Sequence, residues 1–105
     1  MITQVVNVYR DEYDIYIGRI PTFGNTKWGN PFSQPDLAIH EKLECYEYYI
    51  RNTPELWNSL HELKGKRLAC HCKPKLCHGD VLLKLVYERF GKESDDSVAS
   101  TFFDF

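Results

Sequence analysis

Three of the chain's four cysteines and two of its four histidines fall within one short run, Cys70-His71-Cys72-Lys73-Pro74-Lys75-Leu76-Cys77-His78-Gly79-Asp80. Thiols and imidazoles are the side chains of nucleophilic, acid–base and soft-metal chemistry, so three readings of the run stand side by side. In the first, Cys70, Cys72, Cys77 and His78 make a Cys3His set of the kind that tetrahedral zinc prefers, and zinc is the candidate cofactor. Strand alternation puts Cys70 and Cys72 on one side and His71 on the other, although the Cys-x-Cys and Cys-His spacings differ from the usual two-residue knuckles. In the second, Cys77 is a nucleophile, His78 its base and Asp80 the orienting carboxylate. The start of a helix favours a thiolate and an anionic ligand there, and Gly79 admits the ligand to the backbone. In the third, the cysteines are small buried side chains beside a sheet, and the run has no chemistry.

A second segment supplies groups that complement the ligand reading. From Arg19 to Pro35 the chain carries Pro21, Pro31 and Pro35 together with Trp28, Phe23 and Phe32. Loops above about 12 residues in a compact domain are usually functional or disordered, and the aromatic content here favours order. Arg19 and Lys27 offer positive charge, Asn30 an amide, and Trp28 a face on which a base stacks. The competing reading makes Trp28 and Phe32 lids on the core, with Pro31 setting their turn.

Short regular elements must position these groups. Val5-Val6-Asn7-Val8-Tyr9 and Ile15-Tyr16-Ile17-Gly18 read as two strands, arranged as a hairpin across Arg10 to Asp14. Asp36 caps a helix whose apolar residues Ile39, Leu43, Tyr46 and Ile50 recur at helical spacing, with Cys45 beside the stripe. Thr53 and Pro54 start a second helix carrying Leu56, Trp57, Leu60 and Leu63, which ends before Gly65. Lys66 to Cys70 is a strand, and a last helix from about Gly79 presents Leu82, Leu85, Val86 and Phe90 before stopping at Gly91. The order β-β-α-α-β-α predicts a small single-domain α/β layer fold, with a short mixed or parallel sheet packed by helices.

Three motifs occur in sequence: Ile15-Tyr16-Ile17-Gly18-Arg19, Trp28-Gly29-Asn30-Pro31-Phe32, and Cys70-x-Cys72-x-Pro74-x-x-Cys77-His78-Gly79-Asp80-Val81-Leu82. Together they resemble a family of small bacterial and phage proteins catalogued as a domain of unknown function. The resemblance spans about Val5 to Phe90 and implies a class of protein without implying a reaction. The chain departs from the family pattern at His71, where an aromatic residue is expected.

Charge and composition narrow the function classes. With 105 residues, 43% of them hydrophobic, the chain supports one domain, placed at residues 1–91, followed by a tail from Lys92 to Phe105. The tail holds one basic and four acidic residues, a charge of −3, which leaves +1 on the rest of a chain whose total is −2. A near-neutral body argues against strong nonspecific duplex binding. No apolar run is long enough to span a membrane and the start is polar, so the expected location is the cytoplasm, the host's if the chain is phage-encoded. The expected function is binding or acting on a nucleotide or nucleic-acid-derived ligand at the Cys/His turn. The alternative is a non-catalytic adaptor, zinc-stabilised or closely packed. Its tail resembles the C-terminal peptides that hook replication proteins onto a sliding clamp, with Phe102, Phe103 and Phe105 as the anchors.

Overall fold

A computed structural model describes residues 2–32 and 34–91, so the tail and its three phenylalanines lie outside the described residues. Strands β1 (Gln4–Asn7), β2 (Ile15–Tyr16) and β3 (Arg67–Cys70) form one sheet in the order β1-β3-β2. Both pairings are parallel, with Val5 opposite Leu68 and Asn7 opposite Cys70 on one side, and Tyr16 opposite Ala69 on the other. The α/β layer fold is as expected, but the hairpin is not formed. At the end of β1 the Arg10 and Asp11 amides donate to the Asn7 carbonyl, and the Asn7 amide donates to the Asp11 carboxylate at 2.8 Å. This turn carries the chain around β3 instead of back along β1. Strand β3 then fills the gap, with Val8 N–H donating to Cys70 O and Ile17 N–H to Ala69 O.

Side-chain alternation along β3 separates two cores. Leu68 and Cys70 face helices α1 (Ile39–Arg51), α2 (Pro54–Trp57) and α3 (His78–Phe90), where Tyr46, Ile50, Leu56, Leu82, Leu85 and Val86 are buried. Ala69 faces the other way into a smaller layer with Val8, Tyr16, Val6, Tyr13 and Phe23. The apolar spacing of α1 holds from Leu43 onward, but Ile39 is 49% exposed. Asp36 does not cap this helix. The Glu41 carboxylate turns back to accept the Ala38 amide at 2.8 Å, two residues later than expected. Nor does the Thr53 side chain cap α2. Its hydroxyl donates to the Tyr49 carbonyl at 2.6 Å, and the second helical stretch divides into the single turn of α2 and a 3-10 turn at Leu60–Leu63. Ser59 Oγ donates to Glu55 O beside that break.

Polar ties hold the elements in register. Asp14 accepts both the Arg67 amide at 2.8 Å and its guanidinium at 3.0 Å, pinning the entry of β2 to that of β3. Across the helices, Arg51 pairs with Glu88 at 2.6 Å and Lys84 with Glu47 at 2.9 Å, joining α1 to α3. Gly91 closes α3 with φ 81°, its amide donating to Tyr87 O. Among the described residues no helix is long and apolar enough to cross a membrane.

Gly79 sits where α3 presses on the sheet. A methyl group there would lie 2.7 Å from a Val5 methyl and 2.9 Å from Ile17 Cδ1. Gly79→Ala is therefore expected to destabilise the domain by about 1–3 kcal/mol, measured by urea unfolding. An unchanged midpoint would show that the helix can ride up without cost. The Arg67 guanidinium holds the Asp14 carboxyl down at about 2, below its ordinary value. Its stabilising contribution is present above the ordinary carboxylate value of about 4 and is lost as the pH falls through about 2. The stability gap between wild type and Asp14→Asn should stay constant at neutral pH and shrink on acidification across that window.

Candidate functional site

Parallel pairing brings the C-terminal ends of β2 and β3 to the same edge of the sheet, where α3 also begins. A cavity of about 270 Å³ opens there. Its wall is drawn from Gly18 and Arg19 after β2, Asn30 and Phe32 in the long loop, Ile39, Lys42 and Leu43 on α1, and His71, Cys72, Cys77 and His78. It continues into a shallower groove lined by Lys73, Pro74, Lys75 and Leu76, the two sharing Ile39, His71 and Cys72. Of the residues expected at a site, Arg19, Asn30, Cys72, Cys77 and His78 are brought together.

Lys27, Trp28 and Gly79 are not part of that wall. The Trp28 indole is 2% exposed within the main core, and its carbonyl accepts the Tyr46 hydroxyl at 2.6 Å, so it offers no stacking face. This bond anchors the loop to α1, and burial keeps the Tyr46 phenol well above its ordinary pKa, hence un-ionised. Lys27 pairs with Glu62 at 3.1 Å and lies over the Trp28 ring, on the far side of the loop. Gly79 gives up its side chain to helix–sheet packing instead of to a ligand.

The sulfurs divide in two. Cys70 at the end of β3 and Cys77 at the cap of α3 are both buried, with their Sγ atoms 3.1 Å apart. The Cys77 thiol donates toward Cys70, and the amides of Cys72 and Lys73 also point at that sulfur. Together they hold the Cys70 thiol down at about 6, with the Cys77 contact the largest cause. Cys77 is pushed the opposite way, because the Cys70 sulfur beside it and its own burial oppose a second thiolate. Cys72 is exposed, beyond the end of the strand, and its partial burial raises its thiol. His78 spends its Nε2 proton on the Ile17 carbonyl at 2.5 Å, and burial lowers its pKa so that the ring is neutral. The expected set of Cys70, Cys72, Cys77 and His78 is thus not gathered around one point. Among the described residues no three His, Cys, Asp or Glu side chains are placed to share a metal.

Asp80 is also committed. One carboxylate oxygen accepts the Lys73 ammonium at 2.6 Å and the other the Cys77 amide at 3.0 Å, closing the cap of α3. The geometry therefore assigns Asp80 to orienting the turn, and no hydrogen bond joins it to His78 among the described residues. Asn7 reaches the same turn from the sheet, donating its side-chain amide to the Lys73 carbonyl at 2.7 Å.

A group of residues that the sequence reading passed over surrounds His71. The Ile20 amide donates to the Tyr16 hydroxyl at 2.9 Å, and the same hydroxyl is hydrogen-bonded to His71 Nε2 at 2.6 Å. His71 Nδ1 is in turn hydrogen-bonded to the Tyr9 hydroxyl at 3.0 Å. Phe23 packs edge-on against the imidazole. The signal was the glycine in Ile17-Gly18: a side chain at Gly18 would overlap the Tyr16 hydroxyl, so the glycine leaves room for this hydrogen bond. Lys42 gave no such signal, being one polar residue on a helix.

Removing the Cys77 sulfur removes the leading cause of the low Cys70 value. Cys77→Ala should move the Cys70 midpoint from about 6 up toward the ordinary thiol value, read as thiolate ultraviolet absorbance against pH in a background lacking Cys45 and Cys72. An unmoved midpoint would transfer the effect to the backbone amides.

The comparisons extend across this whole site. A family model, Domain of unknown function (DUF4326), matches residues 3–88. A protein of Enterobacteria phage T4, described as an uncharacterized 12.4 kDa protein in the nrdA-td intergenic region, is 33% identical over 93 residues, covering 85% of this chain and 82% of its own length. No solved structure matches the chain. Because the family match reaches from β1 to the last turn of α3, and so takes in every wall of the cavity, the chain belongs to the DUF4326 family.

Proposed function

We propose that this domain binds a small anionic ligand of the nucleotide class in the cavity at the ends of β2 and β3. The observation that carries the reading is the sign of the wall. Arg19 and Lys42 line it, and no carboxylate does among the described residues. In a parallel α/β sheet the crevice outside the carboxyl ends of the strands is where ligands bind. Positive groups in a low-dielectric cleft attract an anion more strongly than they would on open surface. The start of α3 plays a smaller part than its dipole suggests, since the Asp80 carboxylate already answers the Cys77 amide.

The remaining wall suits a planar, partly apolar body. Phe32, Ile39 and Leu43 supply hydrophobic surface on one flank, and His71 presents an imidazole held in place by hydrogen bonds with Tyr16 and Tyr9. Asn30 Oδ1 accepts the Phe32 amide at 2.8 Å, leaving its amide nitrogen with no partner among the described residues. That is a donor for a heteroatom of the ligand. A cavity of about 270 Å³ falls just below the span of about 300–1,000 Å³ usual for ligand pockets, so a nucleotide seated there would extend along the adjoining Lys75 groove.

Calorimetric titration of the full chain with nucleoside monophosphates, and with inorganic phosphate alone, tests the reading. Binding by at least one nucleotide is expected. It should weaken about tenfold or more in Arg19→Ala or Lys42→Ala, as loss of a charge-assisted hydrogen bond implies. Absence of heat from every nucleotide up to about 1 mM would overturn the proposal. Equal affinity for phosphate alone would remove the base from the ligand class.

A further inference from the structure

Ligand binding leaves unused the Cys70 and Cys77 sulfurs, of which Cys77 lines the cavity and Cys70 lies behind it. We infer that Cys70 and Cys77 are a dithiol site that closes reversibly to a disulfide by exchange with a small disulfide, such as oxidised glutathione, admitted through the cavity. The inference needs only the cavity as an entrance and stands apart from the nucleotide reading.

Geometry carries it. The two Sγ atoms are 3.1 Å apart, and a bond of about 2.05 Å asks for an approach of about 1 Å. The sulfurs belong to the end of β3 and the cap of α3, joined by the turn 71–76, whose backbone carries only the Lys75 N–H to Cys72 O bond among the turn's own residues. Because Asn7 and Asp80 tie the turn at Lys73, the approach is taken up by rotation of the two cysteine side chains. Access is asymmetric: Cys77 lines the cavity, whereas Cys70 lies behind it in the core. Cys77 is therefore the sulfur that meets an incoming disulfide, and Cys70 the one that resolves the product. The other two thiols have no such neighbour: Cys45 is on α1, and Cys72 is exposed beyond the strand.

The exchange balances in two steps. Cys77 sulfur attacks one sulfur of oxidised glutathione, passing its proton to Cys70. The glutathione S–S bond breaks, one glutathione leaves as thiolate, and a mixed disulfide remains on Cys77. Cys70 then attacks the Cys77 sulfur, its proton leaving with the second glutathione. Two protein thiols are oxidised by two electrons, and one oxidised glutathione becomes two reduced molecules. If the cysteines were merely small core side chains, the cavity would admit the reagent to no productive pair.

The test uses the full chain carrying Cys45→Ser and Cys72→Ser, reduced and then mixed with excess oxidised glutathione. Expected are loss of both free thiols on denaturation, an intact mass lower by two hydrogens, no retained glutathione, and reversal by dithiothreitol. Cys70→Ser in the same background should instead trap a stable glutathione adduct on Cys77. Unreacted thiols, or an adduct persisting while Cys70 is present, would overturn the inference. Should the double variant not fold, peptide mapping of oxidised wild type decides the matter: a linked Cys70–Cys77 peptide supports it, and its absence sinks it.

Discussion

Strand β3 hydrogen-bonds along both edges to strands running parallel to it, and the placement of chemistry in this domain follows from that pairing. Parallel neighbours cannot be joined by a tight turn, so the chain must cross over between them, and all three strands end at one edge. The end of β1 is folded under by the Asn7 turn, whose side chain grips the Lys73 carbonyl. The ends of β2 and β3 stay open. Arg19 follows one of them, His71 and Cys72 the other, and the cap of α3 closes the third side. A hairpin of β1 and β2 would have sent Arg19 to the opposite edge from Cys70.

Much of this was legible in the chain. The helical face of α3, with Leu82, Leu85 and Val86, is buried as its spacing implied, and Gly91 ends it with a positive φ. Single-residue caps were less legible, because a carboxylate two or three residues inside a helix, such as Glu41, competes with any Asp or Thr before it. A parallel sheet was among the expectations, but which strands pair was not legible. Strands of two and four residues carry too little pattern to say which neighbour they choose, and here a strand fifty residues away wins.

The site was read with similar unevenness. Position in the chain put Cys77, His78 and Asp80 together, but adjacency in sequence is not adjacency of reactive atoms. His78 turns to the Ile17 carbonyl and Asp80 to Lys73, while Cys77 finds Cys70 across the turn. Trp28 illustrates the opposite error. An aromatic residue in a glycine- and proline-rich loop suggests a ligand platform, yet a small domain has few ways to cover one face of its core, and it uses this indole. Lys42 and the tyrosines around His71 become visible only when the long loop and α1 are laid against the sheet.

Cys70 and His71 are consecutive, yet they belong to opposite sides of the sheet, the first among the helices and the second among Tyr16, Tyr9 and Phe23. The cavity therefore lies on a seam. One peptide unit separates its sulfur wall from its imidazole wall, and each wall is the outermost course of a different interior. A molecule seated there, as proposed, would bear on both layers at once. Among the ties near this edge is the Tyr46 hydroxyl on the Trp28 carbonyl. In so thin a protein, the atoms that a cavity offers to a visitor are also among those that hold its two layers together.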